Sequence, residues 1–297
     1  MKEYRFGEKI NKKIVLCLGY FDAVHLGHIA IFQRAKLLAK NHQSETAVFT
    51  FKSGFNSNFN KNGDIFTYDE RKDKMSLYGI ENCIFCDLTE EIRNLSPDKF
   101  LDKLFNMAKI TGVVTGKDYT YGKNAAGNQI TLEKYCKDKN VIYDIVDDIE
   151  YEGQRVSSSQ IKKCLMSGEI KQANEMLGGK YFIKSQVVEG RKVGRTIGFP
   201  TINMQIDSQK CPLKQGVYYT ETVIDGKKYK GITNYGNCPT FDVNKLTLET
   251  NLIDFSGDLY GKTVTLYFND YIRDIKKFDS IDELKTQLKK DKEKTND

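Results

Sequence analysis

The sequence lacks any long apolar run. Its 297 residues have a mean hydropathy of −0.53, and no stretch approaches the roughly 20 apolar residues that a membrane-spanning helix needs. The basic N-terminus leads into only a short apolar stretch, which soon meets Asp22 and His25 and does not form the pattern of a secretory signal peptide. We therefore expect a cytoplasmic protein with no membrane partner.

The chain also lacks a strong excess of either charge. Lys and Arg number 46 against 40 Asp and Glu, which gives a formal net charge of +6. Basic residues cluster only in the C-terminal "LKKDKEKTND", where acids are interleaved as on a solvated helix end. We expect no nucleic-acid partner, whereas the mild basic excess suits small ligands that carry phosphate.

Cysteine and histidine do not form the pattern of a metal site. The seven cysteines are odd in number and scattered, which is typical of a protein in a reducing compartment. Cys83 and Cys86 form a CxxC, but no second CxxC accompanies them, and the apolar "CIFC" favours a buried strand. There are only three histidines, and a zinc site around His25 and His28 could add only His42.

The two halves of the chain differ in pattern. In the first half, apolar runs such as "IVLCLG" and "TAVFTF" alternate with helical segments such as "HIAIFQRAKLLAK", which predicts an α/β domain with a doubly wound parallel sheet. After the glycine pair at positions 178 and 179, β-branched and aromatic runs are separated by turns such as Asp225-Gly226, and only the end is helical in pattern. We predict an antiparallel β-barrel with a terminal helix, and domains at residues 1–179 and 180–297.

The stretch "GYFDAVHLGH" follows the first apolar run and places His25 and His28 at a strand-to-helix junction. Ligands of doubly wound sheets bind beyond the carboxyl ends of the strands, where a helix N-terminus offers backbone N–H groups to phosphate. Gly27 permits close approach of a ligand, and imidazole N–H groups can stabilise charge on a phosphoryl group. A pair of histidines alone is more often part of a surface loop. We interpret this pair as holding the phosphates of a nucleotide.

Two further stretches in the first half bear on this site. "RVSSSQIKKCL" supplies the hydroxyls of Ser157, Ser158 and Ser159 at the start of a helix, although a serine run is more often only an N-cap. "VTGKDYTYGKNAAG" looks like a P-loop, but its glycine spacing is one residue too long and Asn124 stands where Ser or Thr is required.

The second half contains a glycine- and arginine-rich stretch, "GRKVGRTIGFPTIN". Glycines expose backbone N–H groups and arginines neutralise charge, so the stretch can hold phosphate. Thr201 and Asn203 add the hard oxygen donors that Mg²⁺ accepts. Glu249 lies farther on within a strand pattern, where an isolated carboxylate is usually a solvated, outward-facing residue.

These stretches together resemble known families. "GYFDAVHLGH" resembles the GxFDxxHxGH signature of nucleotidylyltransferases, "RVSSSQIKKCL" their ISSTxxR motif, and "VTGKDYTYGKNAAG" the GxDFxFGxxxxG stretch of bacterial FAD synthetases. The second half resembles riboflavin kinase in its GRxxGxPTAN, GVxNxGxxPTF and ExHxxDFxxDLYG motifs. The resemblance covers nearly the whole chain and is to bacterial bifunctional riboflavin kinase/FAD synthetase.

The resemblance implies two activities and two sets of residues. The barrel would phosphorylate riboflavin to FMN with ATP and Mg²⁺, and the first domain would adenylylate FMN to FAD and release pyrophosphate. The implied catalytic residues are His25, His28 and Glu249. In the adenylyl site, ATP binding is implied for Gly19, Phe21, Asp22, Gly27, Arg155, Ser157, Ser158, Ser159 and Lys162, and flavin binding for Asp118, Tyr119 and Tyr121. In the kinase site, ATP binding is implied for Gly190, Arg191, Gly194, Arg195, Gly198 and Pro200, flavin binding for Asn234 and Gly236, and metal binding for Thr201 and Asn203.

Three positions depart from the family patterns. "TFKSGFNSN" lacks the histidine and prolines of the usual TFxPHP-like stretch, Lys162 replaces the ISSTxxR arginine, and Asn251 replaces the ExH histidine. Lysine keeps the charge of arginine but loses its bidentate fork. Two alternatives therefore stay open, a kinase with a weakened adenylyltransferase domain and a non-catalytic flavin-binding regulator. The sequence does not indicate an oligomeric state.

Overall fold

The computed structural model describes residues 1–52, 62–190, 198–237 and 246–295. The chain divides into two compact units, Met1–Ser158 and Ser159–Asp297. The division follows Ser158, whereas the predicted boundary at residue 179 lies beyond two further helices, and that boundary stays a prediction. Among the described residues, no helix is both long enough and apolar enough to cross a lipid bilayer.

The first unit contains a six-stranded parallel sheet in the order β1-β4-β3-β2-β5-β6. Its strands are β1 (Lys2–Arg5), β2 (Lys13–Leu18), β3 (Glu45–Phe51), β4 (Asn82–Cys86), β5 (Lys109–Gly116) and β6 (Ile142–Val146). A separate antiparallel pair follows, β7 (Glu150–Tyr151) and β8 (Gln154–Arg155). The strand order reverses at β2, because β3 pairs with one side of it and β5 with the other. This confirms the predicted doubly wound sheet, and it adds the edge strand β1, which we did not predict.

Helices cover both faces of this sheet. They are α1 (Leu26–Asn41), α2 (Tyr68–Leu77), α3 (Glu90–Arg93), α4 (Pro97–Phe105) and α5 (Gln129–Asp138). Alternate residues of β2 enter two different cores: Leu16 packs with Phe100 of α4, and Cys17 packs with Phe32 of α1. Both faces of the central strand are therefore buried, as expected from its uninterrupted apolar run.

The second unit contains a closed six-stranded barrel in the order β10-β13-β12-β11-β14-β9. Its strands are β9 (Tyr181–Val188), β10 (Thr201–Gln205), β11 (Gly216–Ile224), β12 (Lys227–Asn237), β13 (Leu246–Leu252) and β14 (Thr263–Arg273). Its helices are α6 (Ser158–Ser167), α7 (Ile170–Leu177) and α8 (Ile281–Glu293). The predicted barrel and terminal helix are confirmed, whereas α7 was not predicted.

The turn between β11 and β12 shows why the Asp225-Gly226 pair predicted a hairpin. Asp225 and Gly226 have φ values of +50° and +78°, as a two-residue type I′ hairpin requires. The ladder closes directly around them, with Ile224 opposite Lys227.

The terminal helix α8 is fixed to the barrel by a buried ion pair. Asp291 is 0% exposed, and its carboxylate accepts bonds from Arg273 Nη2 at 2.7 Å and Arg273 Nε at 3.0 Å. Gln287 Nε2 donates to the same carboxylate at 2.8 Å. These bonds join α8 to β14.

Candidate functional site

The "GYFDAVHLGH" stretch lies at the point where the sheet order reverses. β2 ends at Leu18 and α1 begins at Leu26, with His25 as the N-cap. The carboxyl end of a strand at such a switch point is where ligands of open α/β sheets bind, and the N-terminus of α1 adds unpaired N–H groups. The structure therefore places the predicted phosphate motif where phosphate binding is physically favourable.

The two histidines form one unit. Their rings are stacked with centroids 3.7 Å apart and planes inclined by 17°. His25 Nδ1 accepts the backbone N–H of His28 at 3.4 Å, so a neutral His25 carries its proton on Nε2. A Cβ on Gly27 would lie 3.1 Å from Cε1 of the His25 ring, which is why glycine suits this position.

Burial keeps both histidines neutral. It lowers the pKa of His25 to about 4, with further lowering by the charges of Arg155 and Lys74. Burial also lowers the pKa of His28 well below its ordinary value, helped by His25 and Lys74. Each ring therefore carries one N–H at neutral pH and can donate a hydrogen bond. His28 Nδ1 is buried without a hydrogen-bond partner among the described residues.

Other residues of the motif hold the loop in shape. Phe21 and Val24 have φ values of +55° and +45°, in the left-handed region that non-glycine residues rarely adopt. A Cβ on Gly19 would lie 2.8 Å from the Phe21 ring. Asp22 is 4% exposed and accepts the N–H of Ile65 at 2.8 Å. In this structure Gly19, Phe21 and Asp22 therefore support the loop, and their predicted contacts with ATP stay predictions.

Arg155 and Asp118, which the sequence assigned to different ligands, bind each other. Arg155 Nη2 lies 2.6 Å from Asp118 Oδ2, and its Nε lies 2.9 Å from Asp148 Oδ1. The charges of Arg155 and Asp118 both act on the pKa of His25, in opposite directions. Arg155 and Asp118 therefore lie close enough to His25, at the carboxyl edge of the sheet, for their charges to change its pKa.

The two tyrosines predicted to bind flavin differ in burial. Their rings stack with centroids 5.8 Å apart. Tyr121 is 6% exposed, packs against Phe100 and bonds Thr131 Oγ1 at 2.9 Å, so its side chain belongs to the core. Tyr119 is partly buried beside it.

The serine motif spans the division between the units. Ser157 precedes α6, which begins at Ser158, as the predicted loop-to-helix junction requires. Ser159 and Lys162 belong to the second unit, and Lys162 is 8% exposed. Their predicted contacts with ATP stay predictions.

Sequence reasoning missed a buried arginine that holds the site together. Arg71 of α2 is 0% exposed. Its Nη1 donates to Tyr20 O at 2.7 Å and Thr50 Oγ1 at 3.0 Å, and its Nη2 donates to Phe51 O at 2.8 Å and Lys52 O at 3.1 Å. It thus ties the chain that leaves β2 to the chain that leaves β3. The only feature of the sequence that bears on this role is the position of Arg71 in the first turns of a helix with a recognisable N-cap, Thr67.

In the barrel, strand register aligns the predicted kinase residues in one row. Glu249 of β13 lies opposite Asn203 of β10 on one side and opposite Asn234 of β12 on the other. Directly opposed residues have Cβ atoms roughly 4.5–5.5 Å apart. Leu248 and Thr250, on either side of Glu249, are 0% exposed, so Glu249 faces away from the barrel interior. The implied base Glu249, metal ligand Asn203 and flavin residue Asn234 are therefore neighbours on one outer face.

Gly190 and Asn251 support this row. A Cβ on Gly190 would lie 2.1 Å from Asn203 Nδ2, so only glycine leaves room for that side chain. Asn251, which replaces the expected histidine, donates from Nδ2 to Pro200 O at 2.7 Å. It lies opposite Thr201, so it fixes the start of the strand that carries both predicted metal ligands.

A cavity of about 300 Å³ opens beside this strand, and Pro200, Thr201, Phe255, Asp258 and Tyr260 are among the residues that line it. Its size is at the lower end of the range for small-molecule sites.

Two predicted glycines, Gly198 and Gly236, lie outside this row, and three further predicted residues are not described. Gly236 is buried two residues beyond Asn234 in β12, opposite Thr247, and a Cβ on it would lie 2.6 Å from Ile275 Cδ1. Gly198 has φ +85°, which favours glycine. Arg191, Gly194 and Arg195 lie outside the described residues, as does most of "TFKSGFNSN".

Comparison with known proteins identifies the families of both halves of the chain. The FAD synthetase family model matches residues 7–160, and the riboflavin kinase family model matches residues 177–297. A bifunctional riboflavin kinase/FMN adenylyltransferase from Listeria monocytogenes is 34% identical over 291 residues, which cover 96% of this chain and 92% of the relative. The protein of the same description from Bacillus subtilis is 33% identical over 288 residues, covering 95% and 91%.

A solved structure, described as a macrolide-efflux protein from Streptococcus pneumoniae, superposes with a TM-score of 0.89 at 29% identity and covers 100% of this chain and 99% of its own. The matches to the two family models lie in the order that the sequence motifs predict. The matched ranges and the identity to relatives of nearly the same length confirm the predicted membership: the chain belongs to the bifunctional riboflavin kinase/FMN adenylyltransferase family.

Proposed function

We propose that this chain converts riboflavin to FMN in residues 180–297 and FMN to FAD in residues 1–179, using ATP in both steps. The observation that carries the proposal is the strand register of the barrel, which aligns Asn203, Glu249 and Asn234 in one row. The stacked histidines at the switch point of the sheet support the second activity. The six cysteines among the described residues are all buried and free, which supports a reducing, cytoplasmic location.

In the kinase step, the 5′-hydroxyl of riboflavin attacks the γ-phosphate of ATP. A new O–P bond forms, the bond between the γ-phosphorus and the β,γ-bridging oxygen breaks, ADP leaves, and the hydroxyl proton passes to Glu249. The row fits Mg²⁺, because the oxygens of Thr201 and Asn203 beside a carboxylate are the hard donors that this ion prefers. When bound, Mg²⁺ would neutralise charge on the transferring phosphate.

In the adenylyl step, a phosphate oxygen of FMN attacks the α-phosphorus of ATP. A new O–P bond forms, the bond between the α-phosphorus and the α,β-bridging oxygen breaks, and pyrophosphate leaves with the electron pair of that bond. His25 and His28 are neutral at physiological pH, so they act as N–H donors to phosphate oxygens and not as acids. Preorganised donors of this kind typically contribute about 10²–10³-fold in rate.

The experiment is a time course with riboflavin and Mg-ATP in which FMN and FAD are resolved. We expect FMN to form first and FAD to follow. FMN that accumulates without FAD would instead favour a kinase with a silenced adenylyl domain, and flavin binding without any ATP turnover would favour a regulator.

Two variants assign the activities to their sites. Glu249→Gln keeps the shape of the side chain but cannot accept the proton, so FMN formation should fall by about 10²–10⁴-fold while FAD formation from added FMN is unchanged. His28→Ala should do the reverse. Equal loss of both activities in either folded variant would contradict the two-site assignment.

A further inference from the structure

A second cavity lies in the first unit, at the edge of the sheet opposite the histidine motif. Its volume is about 480 Å³, which is within the range of small-molecule sites. It opens where β5 begins at Lys109 and β6 begins at Ile142, and both residues line it. His25 and His28 lie at the carboxyl ends of the strands. Because β5 has 8 residues, the two edges are about 23 Å apart, at roughly 3.3 Å per residue. This cavity is therefore separate from the proposed ATP site of the first unit.

One wall of the cavity is aromatic. Phe105 and Tyr135 line it with their rings edge to face, 5.0 Å apart between centroids and inclined by 78°. Tyr135 OH donates to Asp102 Oδ1 at 2.6 Å, which fixes the ring and gives the carboxylate a partner. Ile142 adds aliphatic surface and is 39% exposed. A wall of this kind suits a planar aromatic ring.

The charged groups of the cavity are mainly cationic. Lys109 and Lys139 line it, and Asp102 is the only carboxylate among the described residues that do. Within the described parts of the chain, neither lysine forms an ion pair with a carboxylate. Lys139 Nζ lies 5.5 Å from the centroid of the Tyr135 ring, so one ligand can contact both the ammonium and the aromatic wall. The cavity therefore combines an aromatic surface with positive charge.

Helix ends account for only one of these lysines. The helices α1, α4 and α5 end beside the cavity, at the C-caps His42, Asn106 and Lys139. A basic residue at a helix C-terminus stabilises the helix, which explains Lys139. Lys109 belongs to a strand, and its partner in β2 is another lysine, Lys13, so its position adds repulsion between like charges. The helix ends carry only partial negative charge that falls off within one turn, whereas both ammonium groups carry a full charge. An anion in the cavity would lower the repulsion.

The floor of the cavity is held by hydrogen bonds between strands. The register of β5 against β2 skips Thr111, which falls between the partners of Ile14 and Val15. Thr111 lines the cavity, and its Oγ1 donates to Ile14 O at 3.1 Å and lies 2.8 Å from Ser44 Oγ. Irregularities of this kind re-aim side chains and are common next to functional sites. Because the floor is fixed before a ligand arrives, binding requires little ordering of the protein.

We propose that this cavity binds an aromatic ligand that carries a phosphate group and has about the size of a mononucleotide. The ring packs against Phe105 and Tyr135, and Lys109 and Lys139 bind the phosphate through charge-assisted hydrogen bonds. Adenine nucleotides and flavin phosphates share this chemistry. The inference goes beyond both proposed activities, and neither activity is needed for it.

The test is equilibrium dialysis of the full chain with two probes, AMP and FMN, each measured separately. The wild type is compared with the double variant Lys109→Gln/Lys139→Gln. The matched control is Lys134→Gln/Lys137→Gln, which removes the same charge from α5 at residues that do not line the cavity. We expect at least one probe to bind at a site whose affinity falls about 10–100-fold in Lys109→Gln/Lys139→Gln, because two hydrogen bonds to a charged group are lost. The control should keep the wild-type affinity.

The two probes also identify the source of the ligand. A loss confined to AMP indicates an adenine-nucleotide site, and a loss confined to FMN indicates a flavin site. Unchanged binding of both probes in Lys109→Gln/Lys139→Gln would overturn the proposal, as would an equal loss in the control, which would reflect net charge alone. Inorganic phosphate is the third probe, and if it binds as tightly as AMP and FMN, the cavity does not recognise an aromatic ring. The substituted lysines are exposed, so all three proteins should unfold at nearly the same temperature.

Discussion

Replacing Arg71 by lysine tests how the first unit holds its phosphate motif. The guanidinium donates to four oxygens in total, on Tyr20, Thr50, Phe51 and Lys52. Lysine keeps the charge, but its compact ammonium cannot reproduce the planar fork that reaches both strand ends. We expect Arg71→Lys to keep about two of these bonds, since a point donor reaches only one side of the fork.

The magnitude follows from the bonds that are lost. Two lost hydrogen bonds to a charged donor, at about 1.5 kcal/mol each, lower the free energy of unfolding of the first unit by about 3 kcal/mol. For a unit of this size, 1 kcal/mol corresponds to about 2–4 °C, so the midpoint should fall by about 6–12 °C.

The assay uses the two activities as separate reporters. Protein is incubated at graded temperatures, and FAD formation from FMN and FMN formation from riboflavin are then measured at one low temperature. We expect the midpoint for FAD formation to fall in Arg71→Lys, while the midpoint for FMN formation stays unchanged. Lys72→Met, which removes only the ion pairs of Lys72 with Glu3 and Asp69 near the surface, should shift neither. An unchanged midpoint for FAD formation in Arg71→Lys would refute the reasoning.

Three further predictions follow from the same geometry. Asn251→Ala removes the bond to Pro200 O and should lower the rate of FMN formation, whereas Asn251→His should keep the wild-type rate. Equal rates in the wild type and both variants would exclude a positioning role for Asn251. Asp291→Asn breaks the buried pair with Arg273 and should destabilise the second unit by about 3–5 kcal/mol in urea unfolding, so a change below about 1 kcal/mol would contradict this. The pKa of His25 is lowered to about 4 in the folded state, so the unfolded chain binds more protons than the folded one below about pH 6.5. The stability of the first unit should therefore fall as the pH drops from about 6.5 toward 4. An unchanged thermal midpoint for FAD formation at pH 5 would contradict this prediction.

The sequence predicted the architecture well because the features it relies on are local. The apolar run of β2 is buried on both faces, and the Asp225-Gly226 turn requires two positive φ values that few other pairs adopt. The edge strand β1 was missed because "KEYR" has a single buried residue, Tyr4, and no apolar alternation.

The sites were predictable only where one motif carries the chemistry. His25 and His28 are close in sequence and remain together in the structure. Arg71 was not found, because basic residues of a helix normally face solvent and only the docking of α2 buries it. Tyr121 lies in the core because its ring packs against α4, a contact that no local pattern encodes.

The register of β13 also limits how the kinase site can change during evolution. Side chains alternate between the two faces of a strand, so Glu249 faces outward because its neighbours Leu248 and Thr250 face the barrel interior. A change of one residue in β13 before Glu249 would turn the carboxylate toward the barrel interior. A deletion would put Thr250 in its place in the row, and an insertion would put Leu248 there. Length variation among related chains should therefore be confined to the segments between strands, or occur in pairs of residues within β10, β12 and β13.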